Sequence, residues 1–110
     1  MKGWFKLHRK IFDNPMWTEK RTYSKFEAWI DILQMVSYGQ KNSNYINGVY
    51  CEWGRGQYPV SISYLSERWG WSDKKVRTYL KRAESNRQIS LERAGKWTML
   101  TVCKYDSYQH

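Results

Sequence analysis

Apolar residues return every three or four positions in four stretches of this chain, and every second position in two more. Trp4, Phe5, Leu7, Ile11 and Phe12 form the first stretch, with Lys6, Arg9 and Lys10 between them. Their spacing suits a short amphipathic helix. Asn14-Pro15 should end it, because the residue before proline is pushed away from helical geometry. Ser24-Lys-Phe-Glu27 then reads as a capping box, in which serine and glutamate satisfy each other's orphan N–H groups. Phe26, Trp29, Ile30, Leu33 and Val36/Ser37 recur along one stripe behind it. The spacing predicts a helix over 24–38 that ends near Gly39.

The next segment, Gln40 to Asn47, is polar and Asn-rich, and its composition predicts a loop. Val49–Trp53 reads as a strand, Gly54-Arg-Gly56 as a turn, and Tyr58-Pro59-Val60 as a short edge strand where a missing N–H is tolerated. Ser61 or Ser63 caps a helix reaching Trp69, with Ile62, Leu65 and Trp69 facing the core. Gly70 breaks it. Ser72 caps another helix running to about Glu84, and Asp73 suits its positive end. Val76, Tyr79/Leu80 and Ala83 are spaced for burial there. Ile89 with Leu91, and Leu100 with Val102, alternate as two strands joined at Ala94-Gly95-Lys96. Trp97, Met99, Thr101 and Cys103 fill the other phase, more apolar than a solvated hairpin needs.

At 110 residues the chain is expected to be one domain, mainly α with a small β-sheet. Its aromatic content, with 7 Trp and 9 Tyr, argues for a folded core and leaves rings to spare for a contact surface. Lys+Arg outnumber Asp+Glu by 19 to 10, a net charge of +9, which favours a polyanionic partner. Cys51 and Cys103 match no metal-ligand spacing, and His8 and His110 add nothing to them. No glycine-rich phosphate loop or HExxH is present, so no catalytic residue, metal or cofactor is expected. The start MKGWFKLHRK lacks the apolar run of a signal peptide, and AWIDILQMV is interrupted by Asp31 and Gln34. A cytoplasmic protein with no membrane partner follows.

Two capped helices around Gly70-Trp71-Ser72, followed by a hairpin, fit a winged helix-turn-helix. A generic helical hairpin is the plainer alternative. On the second helix Ser72, Lys74, Lys75 and Thr78 would approach base edges, while Arg77, Lys81 and Arg82 suit phosphates. Arg93 and Lys96 at the hairpin tip, and Arg68 on the first helix, complete the expected DNA contacts. Trp71 is expected to plug the core between the helices rather than stack on a base.

The segments GWFKLHRKIFDNPMW (3–17), KFEAWIDILQMVSY (25–38), RGQYPVSISYLSERWGWSDKKVRTYLKRAE (55–84) and VCKYDSYQ (102–109) resemble the N-terminal winged-helix domain of phage replisome organisers and replication initiators, related in architecture to DnaD-type primosomal proteins. The resemblance implies a helical extension over 1–17 and a winged-helix core over 24–105. It also implies binding of double-stranded DNA at a replication origin, self-assembly, and a replication or host protein partner. Trp4, Phe5, Leu7, Ile11 and Phe12 are then the oligomerisation candidates. The chain departs from the family pattern at Lys104, where asparagine usually precedes the tyrosine, and at Glu84-Ser-Asn-Arg87-Gln-Ile89, where a glycine is missing. Asn86 is expected to take the left-handed position that glycine would hold, or else Arg87 at a cost of roughly 1 kcal/mol. Such domains continue into a linker and a C-terminal helical module, whereas this chain stops at His110.

The expected function is that of a non-catalytic DNA-binding domain of a phage replication initiator. A transcription regulator using the same surface, and a protein-interaction or oligomerisation module with little DNA contact, are the alternatives.

Overall fold

Serine side chains open three of the helices, and a glycine or its stand-in closes two of them. In the computed structural model, which describes residues 8–36, 41–46 and 48–103, a 3-10 turn over Arg9–Asp13 precedes α1 (Pro15–Thr18) and α2 (Lys25–Met35). Two strands follow, β1 (Lys41–Ile46) and β2 (Val49–Gly54), then β3 (Gln57–Val60), α3 (Ile62–Trp69), α4 (Asp73–Ser85), β4 (Ile89–Ala94) and β5 (Trp97–Val102). The result is a mixed α/β domain with two small antiparallel sheets: β1–β2, and a three-stranded sheet ordered β3-β5-β4.

The capping box at α2 forms as its sequence requires. Glu27 N–H donates to Ser24 Oγ at 3.1 Å, and Ser24 N–H donates to Glu27 Oε1 at 2.8 Å. The helix is shorter than expected, because Val36 already has extended backbone (ψ 148°). Its buried stripe is also rotated from the expected one. Ala28, Asp31, Ile32 and Val36 are buried, Trp29 and Leu33 pack only partly against the core, and Phe26 is exposed. A reading that treats Asp31 as an interruption turns the helix away from it, yet Asp31 is fully buried.

Asn14-Pro15 ends the 3-10 turn as expected, and the same pair starts α1. Proline takes the first helical position, where its missing N–H is no loss, and Asn14 Oδ1 accepts from Met16 N–H at 2.9 Å. A single helix over residues 4–12 is therefore not what the described part shows.

The expected loop at 40–47 is instead mostly strand: β1 pairs with β2 from Lys41↔Gly54 to Ile46↔Val49. This second sheet corrects the expectation of a mainly α domain. Arg55-Gly56 then turns the chain from one sheet into the other. Pro59 sits on β3, an edge strand as anticipated, opposite Met99 of the central β5.

Ser61 caps α3, and Gly70 closes it in the left-handed region (φ 70°). Trp71 N–H reaches back to Ser66 O at 3.1 Å, the six-residue closure that a left-handed residue permits. A Cβ at Gly70 would lie 3.3 Å from Arg21 O and from Thr22 Cα, so glycine serves both the turn and a close backbone approach.

At the far end of α4, Arg87 (φ 60°) is left-handed, and Asn86 is not (φ −83°, ψ 6°). The helix runs to Ser85, so Asn86 becomes the cap residue and the left-handed place falls one later. Gln88 N–H bonds to Ala83 O at 2.9 Å and Arg87 N–H to Glu84 O at 3.0 Å, the paired bonds of a Schellman closure. Glu84 Oε2 also accepts from Leu91 N–H at 3.1 Å, tying the end of α4 to β4.

The core lies between α2, α3 and α4 and one face of the three-stranded sheet, where Ile32, Leu65, Val76, Leu80, Ile89 and Leu100 meet. Trp97 is also buried, which accounts for the apolar character of its phase along β5.

Candidate nucleic-acid interface

Three rings fix the angle between α3 and α4. Trp69, Trp71 and Tyr79 pack edge-to-face on one another, with centroids 5.0, 5.8 and 5.2 Å apart. Each ring also donates a hydrogen bond toward α2 or the residues before it. Trp69 Nε1 donates to Asp31 Oδ2 at 2.8 Å, Trp71 Nε1 to Tyr23 O at 2.8 Å, and Tyr79 Oη to Lys25 O at 3.1 Å. Aromatic side chains combine this apolar contact with one directed polar bond, so the cluster sets orientation as well as stability. Burial pushes the Tyr79 phenol up to about 12. Trp71 thus plugs the core, as its position in the turn predicts.

Asp31 is the polar centre beneath this cluster. Its carboxylate accepts from Arg68 Nε at 2.5 Å, Arg68 Nη2 and Gln34 Nε2 at 2.9 Å, and Trp69 Nε1. These bonds offset the cost of burying a charge, and the carboxylate raises the Arg68 pKa further above its usual value. Arg68, expected on a phosphate, is bonded to Asp31 and keeps about a third of its side chain exposed.

The surface of α4 is set by its helical period. With Val76, Leu80 and Ala83 buried, and about 100° of rotation per residue, Lys74 and Thr78 lie on the opposite, outermost side. Arg77 and Lys81 fall on one flank, Lys75 and Arg82 on the other. All six are exposed. Lys75 is nonetheless engaged, since its Nζ sits 4.3 Å from the centre of the Trp71 ring, a cation–π contact. Ser72 Oγ caps α4 by accepting from Lys75 N–H at 3.1 Å. The Asp73 carboxylate accepts from Ser66 Oγ at 2.6 Å, which joins α3 to the start of α4.

Arg77 and Lys81 stand over a shallow groove of about 120 Å³ between α4 and the three-stranded sheet, floored by Val60, Ile62, Leu80 and Leu91. Beyond it, β4 and β5 close on a two-residue turn. Gly95 (φ 61°) takes its first position, as in a type II′ turn. Arg93 and Lys96 are exposed beside that turn.

Of the oligomerisation candidates, Ile11 is exposed and Phe12 is half-buried, edge-to-face on Trp17 at 5.0 Å. Trp4, Phe5 and Leu7, like Lys104 and Tyr105, lie outside the described residues. Trp17 in turn packs on Tyr23, and the Arg21 guanidinium lies 4.7 and 4.4 Å from those two ring centres. Arg21 also pairs with Glu27 at 2.9 Å, so α1 is bound to the cap of α2. The Ser24 N–H and Arg21 together hold the Glu27 carboxyl below the usual glutamate value.

Sequence reasoning missed Asp31, because a lone acid in an apolar run carries no sign of partners that lie 37 and 38 residues away. It also missed the Lys75–Trp71 contact, although a spacing of four residues was visible.

Among the described residues, no group of three His, Cys, Asp or Glu gathers as a metal site, and no helix is long and apolar enough to cross a membrane. Comparison with protein-family models, with curated proteins and with solved structures finds no match for this chain.

Proposed function

We propose that this chain is a non-catalytic winged helix-turn-helix domain that binds duplex DNA, with α3 and α4 as the two helices and the β4–β5 hairpin as the wing. The observation that carries the reading is the outward side of α4. Lys74, Arg77, Thr78, Lys81 and Arg82 are exposed around it, while the two acids of the helix, Asp73 and Glu84, lie at the edge of the Arg77 flank and accept from Ser66 Oγ and Leu91 N–H.

Lys74 and Thr78, at the crest of α4, are the residues for base edges in the major groove. Arg77 and Lys81 hold the backbone of one strand, which runs along the groove beside β4, and Arg82 meets the other strand. Arg93 and Lys96 reach the neighbouring groove or backbone from the wing. Ser72 and Lys75 set the start of the helix, and Arg68 leaves the contact set for its bond with Asp31.

The replication role and the self-assembly through residues 4–12 rest on the likeness of the four sequence segments to phage replication initiators, and the cytoplasmic setting rests on the sequence of the N-terminal segment. Selecting the bound sequence from fragments of the source genome tests the role. Recovery of a replication origin supports it, and recovery of promoters alone favours a transcription regulator.

A further inference from the structure

Among the described residues, an exposed aromatic pair lies far from α4 in the sequence. Tyr45 on β1 and Tyr50 on β2 are 69% and 53% exposed, directly opposite each other in the hairpin. Opposed residues share a face of a two-stranded sheet. Their rings meet edge-to-face at 5.3 Å and 61°, so each partly supports the other while presenting surface outward. Ser43 and Glu52, also opposite each other and two positions away, are exposed beside them. On the alternate phase Asn42, Ile46, Cys51 and Trp53 are partly buried. The hairpin therefore has a covered side and an aromatic side.

We infer that this Tyr45–Tyr50 face is a second binding site, taking unpaired bases of single-stranded nucleic acid. Adjacent aromatic rings on a sheet surface are the platform on which consecutive bases stack, and the phenol hydroxyls add hydrogen bonds to base edges. A chain carrying +9 draws a polyanion to itself. Strand addition along β1 is a poorer use of the hairpin, because Tyr45 N–H is already engaged by Asn44 Oδ1 at 2.8 Å. Glu52 sits on the binding face and opposes phosphate, so it limits affinity there.

The test is fluorescence anisotropy with labelled oligothymidylate and oligouridylate of about 12 nucleotides, a length within the span of such modules. The full chain is compared with Y45L/Y50L, Y45F/Y50F and E52Q. Leucine keeps the apolar bulk and removes the stacking face; phenylalanine keeps the face. Binding of at least one oligonucleotide is expected, weakened roughly tenfold or more by the leucine pair, kept by the phenylalanine pair and tightened by E52Q. The two oligonucleotides separate a DNA from an RNA source. The inference is overturned when neither binds, or when the leucine pair binds like the parent. It is also overturned when the leucine pair changes only the solution mass, which would make the face a protein contact. Alanine at Lys74, Arg77 and Lys81 should leave oligonucleotide binding in place, so failure at the hairpin and failure at α4 are read separately.

Discussion

Arg68 closes on Asp31 through two bonds, Nε at 2.5 Å and Nη2 at 2.9 Å, joining α3 to a fully buried carboxylate on α2. The guanidinium remains about a third exposed, so water screens part of the pairing. Removing the carboxylate leaves the fully buried Trp69 N–H and the half-buried donors of Arg68 and Gln34 without their acceptor. D31A should therefore lower unfolding stability by about 3 kcal/mol, the lower part of the range for breaking a buried pair. Urea denaturation checks this. R68A should lower stability while changing duplex affinity less than K74A does, which separates the structural arginine from the surface cations.

Arg87 occupies the left-handed place where glycine has no steric penalty. R87G should raise stability by about 0.5–1 kcal/mol, the relieved strain less the added chain entropy of glycine. R87A keeps the strain and should not stabilise. A shift in the denaturation midpoint distinguishes the two variants.

Tyr79 gives the fold an alkaline limit. Its phenol is pushed from 10.0 to about 12 by burial, so the folded state holds that proton more tightly than the unfolded chain. The resulting stability is complete below pH 10 and is lost as pH rises toward about 12. Y79F should lose about 1 kcal/mol at neutral pH with the hydrogen bond to Lys25 O, and should show a shallower alkaline decline. The decline should not vanish, because Tyr23 and Tyr58 are also raised by burial. Melting temperatures across the alkaline range supply the measurement.

Helix caps were legible where the capping partner was local, although the left-handed position after α4 fell on Arg87 rather than on Asn86. Ser24 with Glu27, Ser61, Gly70 and Ser72 all end or begin helices as their chemistry requires. The β1–β2 hairpin was also legible, since Asn47-Gly48 is a strong hairpin dipeptide between alternating residues, but the polarity of 40–47 obscured it. Asp31 was not legible in the same way. Its burial depends on donors brought from α3 by the fold, and composition alone gives an acid no reason to face inward. The same holds for the candidate interface. The helical period places Lys74, Arg77, Thr78 and Lys81 outward, whereas the engagement of Arg68 depends on a tertiary contact.

The proposal that α4 meets duplex DNA is tested most directly by how binding depends on salt. Each phosphate neutralised by a lysine or arginine adds close to one unit to the slope of log affinity against log salt, roughly 0.9 for B-form DNA. The parent chain should bind a mixed-sequence duplex with a steep slope. K74A/R77A/K81A should weaken binding and flatten the slope by about two units, from the lost phosphate contacts of Arg77 and Lys81, with the melting temperature held. An unchanged slope and affinity in that folded variant would contradict the assignment of α4 as the DNA-contacting helix.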